Sequence, residues 1–177
     1  MSTSGQRSSD AGGLTHVDES GHARMVDVSG KPVTSRTATA SALVRMAPAT
    51  AELLVAGGLP KGDALPVARL AGVTAAKRTP DLIPLCHVIA LAGVEVEVDV
   101  DAEAGTARVV ATARAADRTG VEMEAMVAAS TAALTLYDMT KAVDKGILIE
   151  QVRLEAKTGG KSGDWHRDRD ASGGGQE

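Results

Sequence analysis

Residues 94–116 read VEVEVDVDAEAGTARVVATARAA, and the fold is decided there. From Val94 to Glu103, the valines and Ala102 fall on one side. Glu95, Glu97, Asp99, Asp101 and Glu103 fall on the other. Alternation at period two marks a strand with one buried and one wet face, as in antiparallel sheets. Ala104-Gly105 turns the chain, and Thr106 to Ala116 is the hairpin partner. The carboxylates read as a solvated face, because nothing nearby supplies the convergent ligands of a metal site.

The same logic extends outward. Upstream, Ala38, Ala40, Ala42, Val44 and Met46 recur at every second position of a strand over Thr34 to Met46. Pro48 suits the first turn of a helix that ends at Gly57-Gly58. Asp63 can cap a second helix that runs to Ala76, with Pro80 beyond its end. Ile83 to Ala92 is apolar and open to either assignment. Downstream, Glu122 to Lys145 is a long Ala-rich helix with Glu in its first turn and Lys in its last, and Ile147 to Ala156 returns as a strand. The order predicts an α+β fold, an antiparallel sheet with helices packed on one face. The 177 residues fit one domain. Residues 1–13 and 166–177 are expected to be disordered tails around a single domain over 14–165.

Composition removes several functions. Aromatic residues are 1% of the chain, Tyr137 and Trp165 with no Phe, which is too few for a base-stacking nucleic-acid surface. A net charge of −4 argues against coating DNA or an anionic membrane. Cys86 is the only cysteine, so neither an internal disulfide nor a Cys-rich zinc module can form. No run approaches the roughly 18 apolar residues of a membrane span, and the N-terminus lacks the apolar core of a signal peptide. A soluble cytoplasmic protein is expected, with no nucleic-acid and no membrane partner.

Candidate chemistry lies in four places. Cys86-His87 follows the apolar Leu82 to Leu85; Cys86 reads as a small buried residue or a site residue, and His87 as a core histidine or an acid/base. Lys77-Arg78 at a helix end, and Lys61 in the turn Lys61-Gly62-Asp63, suit either the helix dipole or bound phosphate. On the long helix, Glu124, Thr131, Thr135 and Asp138 fall within about 40° of one line, and Asp138 can pair with Lys141 one turn on. That line is a wet stripe or a site. Glu124 and Asp138 are separated along the axis by about 21 Å, so they can serve one small ligand only from two subunits. An antiparallel two-fold packing centred near Thr131 would bring them together, and the small residues 128–133 permit it. Finally, Lys157 to Asp164 is glycine-rich and basic. It is not a Walker motif, because Glu155 stands where the first glycine belongs. It reads as a flexible lid over an anion or as a linker.

Several segments together resemble one family. They are Leu14-Thr15-His16-Val17-Asp18, Met25-Val26-Asp27-Val28, Lys61-Gly62-Asp63, Ala75 to Thr79, Asp81-Leu82-Ile83-Pro84-Leu85-Cys86-His87, Gly120 to Ala125, Tyr137 to Val143, and Lys157 to Asp164. This pattern is similar to the MoaC family, the cyclic pyranopterin monophosphate synthases of molybdenum-cofactor biosynthesis, from about Leu14 to Trp165. Pro80, Val88 and Trp165 depart from it, standing where the family often has Trp, Pro and Phe. The resemblance implies a ferredoxin-like subunit and a homohexamer, a trimer of dimers with inter-subunit sites. It implies a lyase that converts 3',8-cyclo-7,8-dihydroguanosine 5'-triphosphate to cyclic pyranopterin monophosphate and pyrophosphate. Asp138 matches the family's catalytic acid/base. Leu85, Cys86, His87, Met123 and Glu124 match substrate contacts, and Lys61, Lys141 and Glu122 lie in or beside the site.

Such a reaction moves protons and expels pyrophosphate. Asp138, Lys141, Lys61 and His87 are the expected catalytic set, and Lys77, Arg78 and Lys161 the expected phosphate holders. A lysine crowded by cations would titrate low enough to act as an acid/base near neutrality. No resident cofactor or metal is expected, with any Mg²⁺ accompanying the triphosphate. Two other classes stay open, a nucleotide-binding regulatory module without turnover and a structural oligomer with an incidental anion site.

Overall fold

A computed structural model describes residues 22, 24–161 and 163–167. The elements are β1 (Thr34–Arg45), α1 (Pro48–Val55), α2 (Ala64–Ala76), α3 (Thr79–Leu82), β2 (Leu91–Asp101), β3 (Thr106–Asp117), α4 (Glu122–Thr140), β4 (Leu148–Thr158) and β5 (Trp165–His166). The sheet order is β2-β3-β1-β4-β5, with every neighbouring pair antiparallel. Its first four strands with α2 and α4 make the β-α-β-β-α-β arrangement of ferredoxin-like folds.

The alternating residues did what their period requires. Ala38, Ala40, Ala42 and Val44 of β1 and Ala107, Val109, Ala111 and Ala113 of β3 are buried on the sheet face that α4 covers. The acidic side chains of β2 are exposed. On the open face, Glu155 accepts from the Ser41 hydroxyl and from Arg153 Nε at 2.9 Å. The α4 side of the core is mostly alanine, Ala125, Ala128, Ala129, Ala132 and Ala133, with Leu136 and Met139 as its large fillers. Gly72 of α2 fits against it so closely that an added Cβ would lie 3.0 Å from the Ala128 carbonyl oxygen and from Val96 Cγ2.

Three boundaries differ from the sequence reading. The long helix stops at Thr140 rather than Lys145, so no lysine lies in its last turn and Lys141 is its C-cap. The stop is chemical. The Asp144 carboxylate accepts the N–H groups of Ala47 (2.9 Å) and Gly146 (2.8 Å), and Asp144 N–H closes a turn onto Thr140 O. Pro80 follows the end of α2 as expected, but it lies in the first turn of a separate short helix, α3, that the sequence reading did not include. Trp165 and His166 pair with Lys157 and Ala156 as β5, an edge strand too short to leave a period. Asp63 caps α2 as expected, its carboxylate accepting the Leu65 N–H at 3.2 Å. The expected tail over 1–13, the motif Leu14 to Asp18, Ser162 and residues 168–177 lie outside the described residues. No described helix is long and apolar enough to cross a membrane.

Because the α2–α4 contact is built for glycine against alanine, Gly72→Val should overpack it and cost about 1–3 kcal/mol. Urea unfolding of the variant checks this through a lowered midpoint at unchanged slope.

Candidate active site

The loop between α3 and β2 carries Leu85, Cys86 and His87. It is pinned by Ile83 N–H to Thr79 O (2.9 Å) and Cys86 N–H to Ile83 O (3.0 Å), above a buried Thr79 whose hydroxyl donates to Ala76 O. His87 Nε2 lies 2.8 Å from Val26 O. A carbonyl can only accept, so Nε2 carries the proton and Nδ1 is the nitrogen left to take one.

Across from this loop, the first turn of α4 presents Glu122, Met123 and Glu124. The two segments enclose a cavity of about 430 Å³, lined by Leu85, Cys86, His87, Glu122, Met123 and Glu124. It joins a second lobe of about 480 Å³ through the shared Lys31, Thr119, Gly120 and Glu122. Lys161 lines that second lobe. Seven of the residues singled out from sequence therefore meet in one two-lobed cleft.

Glu124 is only 2% exposed. Burial pushes its carboxyl above the ordinary range, and the charges of Glu122 and Asp117 add to the rise. Burial also raises the Cys86 thiol, with the Glu124 charge second, so Cys86 is a poor thiolate.

A second cluster forms at the other end of α4. Asp138 pairs with Lys141 Nζ at 2.8 Å and Lys61 Nζ at 2.6 Å, and Lys61 also donates to Asp138 O at 2.8 Å. Hydrogen bonds from Lys141 first and Lys61 second hold the Asp138 carboxyl down to about 2. The same pairing raises Lys141, so the expected low-titrating lysine is not found at that position. Within one chain, none of these three residues lines either lobe.

Lys77 and Arg78 do not line the cleft either. Lys77 is the exposed C-cap of α2, and Arg78 borders an apolar groove formed with Val67, Leu70, Leu82 and Thr131. Sequence reading missed Lys31, Arg36 and Arg118, which line the basic lobe together with Lys157 and Lys161 of the glycine-rich basic segment. Lys157 Nζ pairs with Glu122 Oε1 at 3.1 Å. Lys157 stood inside the glycine-rich basic motif, but the other three come from separate segments that only the sheet register brings together. Among the described residues, no group of three or more His, Cys, Asp and Glu side chains is arranged to hold a metal ion.

Fold and cleft define a small α+β chain whose two-lobed cleft has one lobe rich in cationic side chains. A model of the MoaC family matches residues 25–160, and the chain belongs to that family. It is 61% identical over 154 residues to the cyclic pyranopterin monophosphate synthase of Streptomyces coelicolor, covering 87% of this chain and 89% of that protein. The like-named protein of Parvibaculum lavamentivorans is 62% identical over 152 residues, 86% of this chain and 95% of the relative. That of Chloroflexus aurantiacus is 56% identical over 156 residues, 88% and 96% of the two chains.

The raised Glu124 pKa has a thermodynamic consequence. Its folded value exceeds its unfolded one, so the folded state loses stability as pH rises from about 4.5 through the folded value. Glu124→Gln, neutral and of the same shape, should match the wild-type melting temperature near pH 4 and exceed it increasingly toward pH 8. Calorimetry across that range checks it. A variant that melts below the wild type at pH 8 would show that the carboxylate is instead stabilised by a partner.

Proposed function

We infer that this chain is a cyclic pyranopterin monophosphate synthase, a phosphorus–oxygen lyase of molybdenum-cofactor biosynthesis. Its substrate is 3',8-cyclo-7,8-dihydroguanosine 5'-triphosphate, supplied by a radical S-adenosylmethionine enzyme, and its products are cyclic pyranopterin monophosphate and pyrophosphate. Family membership supports this, as do relatives of that name matching over most of both chains. The observation that carries it is the single cleft in which Leu85, Cys86, His87, Met123 and Glu124 converge beside a cation-rich lobe.

The reaction opens a purine-derived ring, builds a pyranopterin and closes a cyclic phosphate as pyrophosphate leaves. The pocket lobe receives the guanine-derived part. His87 offers Nδ1 as an acceptor, while Glu124 can hold a proton above the ordinary carboxylate range. Asp138 is ionised at neutrality and acts as a base flanked by two ammonium groups, with Lys61 and Lys141 compensating negative charge that develops on the substrate. Any Mg²⁺ enters with the triphosphate, and the reading needs no resident cofactor. The reaction belongs in the cytoplasm, where a GTP-derived substrate is made.

The two clusters serve one substrate only if two copies share it. Support comes from α4 and its neighbour α2. Val67, Leu70, Leu82 and Leu134 are exposed, and three of them ring Thr131, the centre of the expected two-fold contact. Apolar side chains gathered this way mark an association surface. An antiparallel mate would carry its Lys61–Asp138–Lys141 cluster to the cleft of the first copy, and three such dimers form the hexamer.

Asp138→Asn should leave the oligomer intact and lower kcat by about 10²- to 10⁴-fold, the range for loss of a general base. Pyrophosphate release from the cyclic triphosphate measures it, and near-normal turnover removes Asp138 from the mechanism. Mixing inactive Glu124→Ala and Asp138→Ala chains should restore part of the activity, since some dimers then hold one intact site. Verified mixed oligomers without any recovery would place both clusters' work within one chain.

A further inference from the structure

We propose that Asp144 is a positioning residue for the Lys61–Asp138–Lys141 cluster, the fixed tie that holds the Lys61 segment against the end of α4. That the cluster acts on a substrate rests on the synthase reading. The tie itself rests on geometry.

Helix α1 begins without a cap of its own. Ala47 is its N-cap and makes no side-chain cap hydrogen bond, and its first turn holds no acidic residue. A carboxylate 97 residues downstream caps it instead. Asp144 Oδ2 accepts the Ala47 N–H at 2.9 Å and the Thr50 hydroxyl at 3.3 Å. A capping-box glutamate makes the same bond to the N-cap N–H from within its helix; here it comes from another part of the chain. Asp144 Oδ1 accepts the Gly146 N–H at 2.8 Å, and the Asp144 N–H donates to Thr140 O at 3.1 Å. Both carboxylate oxygens are thus used, one on each of two chain segments. The Ala47 and Gly146 N–H groups hold this carboxyl below its ordinary range, so it stays charged through neutrality.

Both segments lead to the cluster. On one side, Asp144 folds onto Thr140, which lies between Asp138 and Lys141 in the chain. On the other, α1 passes to Lys61 through a series of backbone bonds: Ala56 N–H to Glu52 O, Gly58 N–H to Leu53 O and Gly62 N–H to Leu59 O, each at 2.9 Å. Leu54 and Leu59 are buried and seat this arm on the core.

Lys61 and Asp138 make a second tie between the same two segments, at 2.6 Å. The two ties differ in duty. A Lys61 ammonium that compensates charge developing on a substrate must lengthen its bonds to Asp138 during turnover. Nothing in that step touches Asp144, whose donors are two backbone N–H groups and the buried Thr50. The Asp144 tie therefore keeps the Lys61 backbone in place while its ammonium moves. A displacement of about 1 Å there is enough to cost turnover about 100-fold.

Asp144→Asn tests this with little change of shape. An amide has one acceptor oxygen, so it can serve Ala47 or Gly146 but not both. Acylation of the lysines in the intact protein, read by mass spectrometry, needs no turnover. Relative to the exposed Lys77, Lys61 should become about 2- to 5-fold more reactive in Asp144→Asn, the scale of one exposed ion pair. Thr50→Val, which removes only the hydroxyl donor, is the milder variant and should move Lys61 the same way by less. With the cyclic triphosphate, Asp144→Asn should lower kcat about 10- to 100-fold and change KM by less than about 3-fold. The same substitution made on Lys61→Ala should lower kcat by no more than about 2-fold further, because its effect runs through Lys61. Unchanged Lys61 labelling in both Asp144→Asn and Thr50→Val overturns the proposal, and so does a full second loss of kcat on Lys61→Ala. A wild type that never turns over the cyclic triphosphate fails the synthase reading instead, and the labelling still decides the tie.

Discussion

The separation of α4 from what it packs against governs the molecule. Helix–sheet and helix–helix spacing follows the size of the side chains between them. Here those side chains are alanines on α4, alanines on β1 and β3, and Gly72 on α2. The helix is thereby seated close and along its full length, and its two ends become fixed points. One end delivers Glu122, Met123 and Glu124 to the cleft, and the other delivers Asp138 and Lys141 to Lys61. A core filled by a few large rings would leave such a helix free to rock about them. A core filled by many small contacts does not, because rotation would open voids along the whole interface.

That single rod places two carboxylates in opposite electrostatic worlds. Glu124 has lost its water and gained acidic neighbours, which favour its protonated form. Asp138 keeps its water but gains two ammonium groups, which favour its charged form. Desolvation and pairing are independent levers, and one helix uses one at each end. A pair of groups pushed apart in this way can divide acid and base roles at a single pH, provided that one substrate meets both. The axial distance denies that within a chain, so the proposed sharing of one substrate would need a second copy.

Much of this was legible in the residues. The alternation of Val94 to Glu103, the alanines at period two in β1, the Asp63 cap and the Asp138–Lys141 spacing are local rules, and local rules survive folding. The errors occurred where a distant residue intervened. Helix α4 ends at Thr140 because Asp144 reaches Ala47, far upstream, which no run of helix-forming residues between 141 and 145 could reveal. Strand β5 exists because β4 offers an edge. Three cations of the basic lobe were invisible for the same reason. Lys31, Arg36 and Arg118 sit in unremarkable local contexts, and it is the pairing of β1 with β3, Thr34 opposite Asp117, that sets them side by side. Lys157 and Lys161 lay in the glycine-rich basic segment that the sequence did single out as a lid over an anion or a linker.

The shortage of aromatic residues bears on recognition as well as packing. Trp165 lies in the edge strand with the Arg167 guanidinium 5.5 Å from its ring centre, and Tyr137 packs against the core. Neither lines either lobe of the cleft. Neither tyrosine nor tryptophan can therefore stack on a ring system held there, the mode of grip that tolerates any base with a π-face. On the proposed reading its edges would meet His87, Glu124 and the backbone around Gly120, with Leu85 and Met123 as apolar surfaces. Edge recognition is selective, because a buried polar group left unmatched by the wrong ring costs more than a matched one contributes.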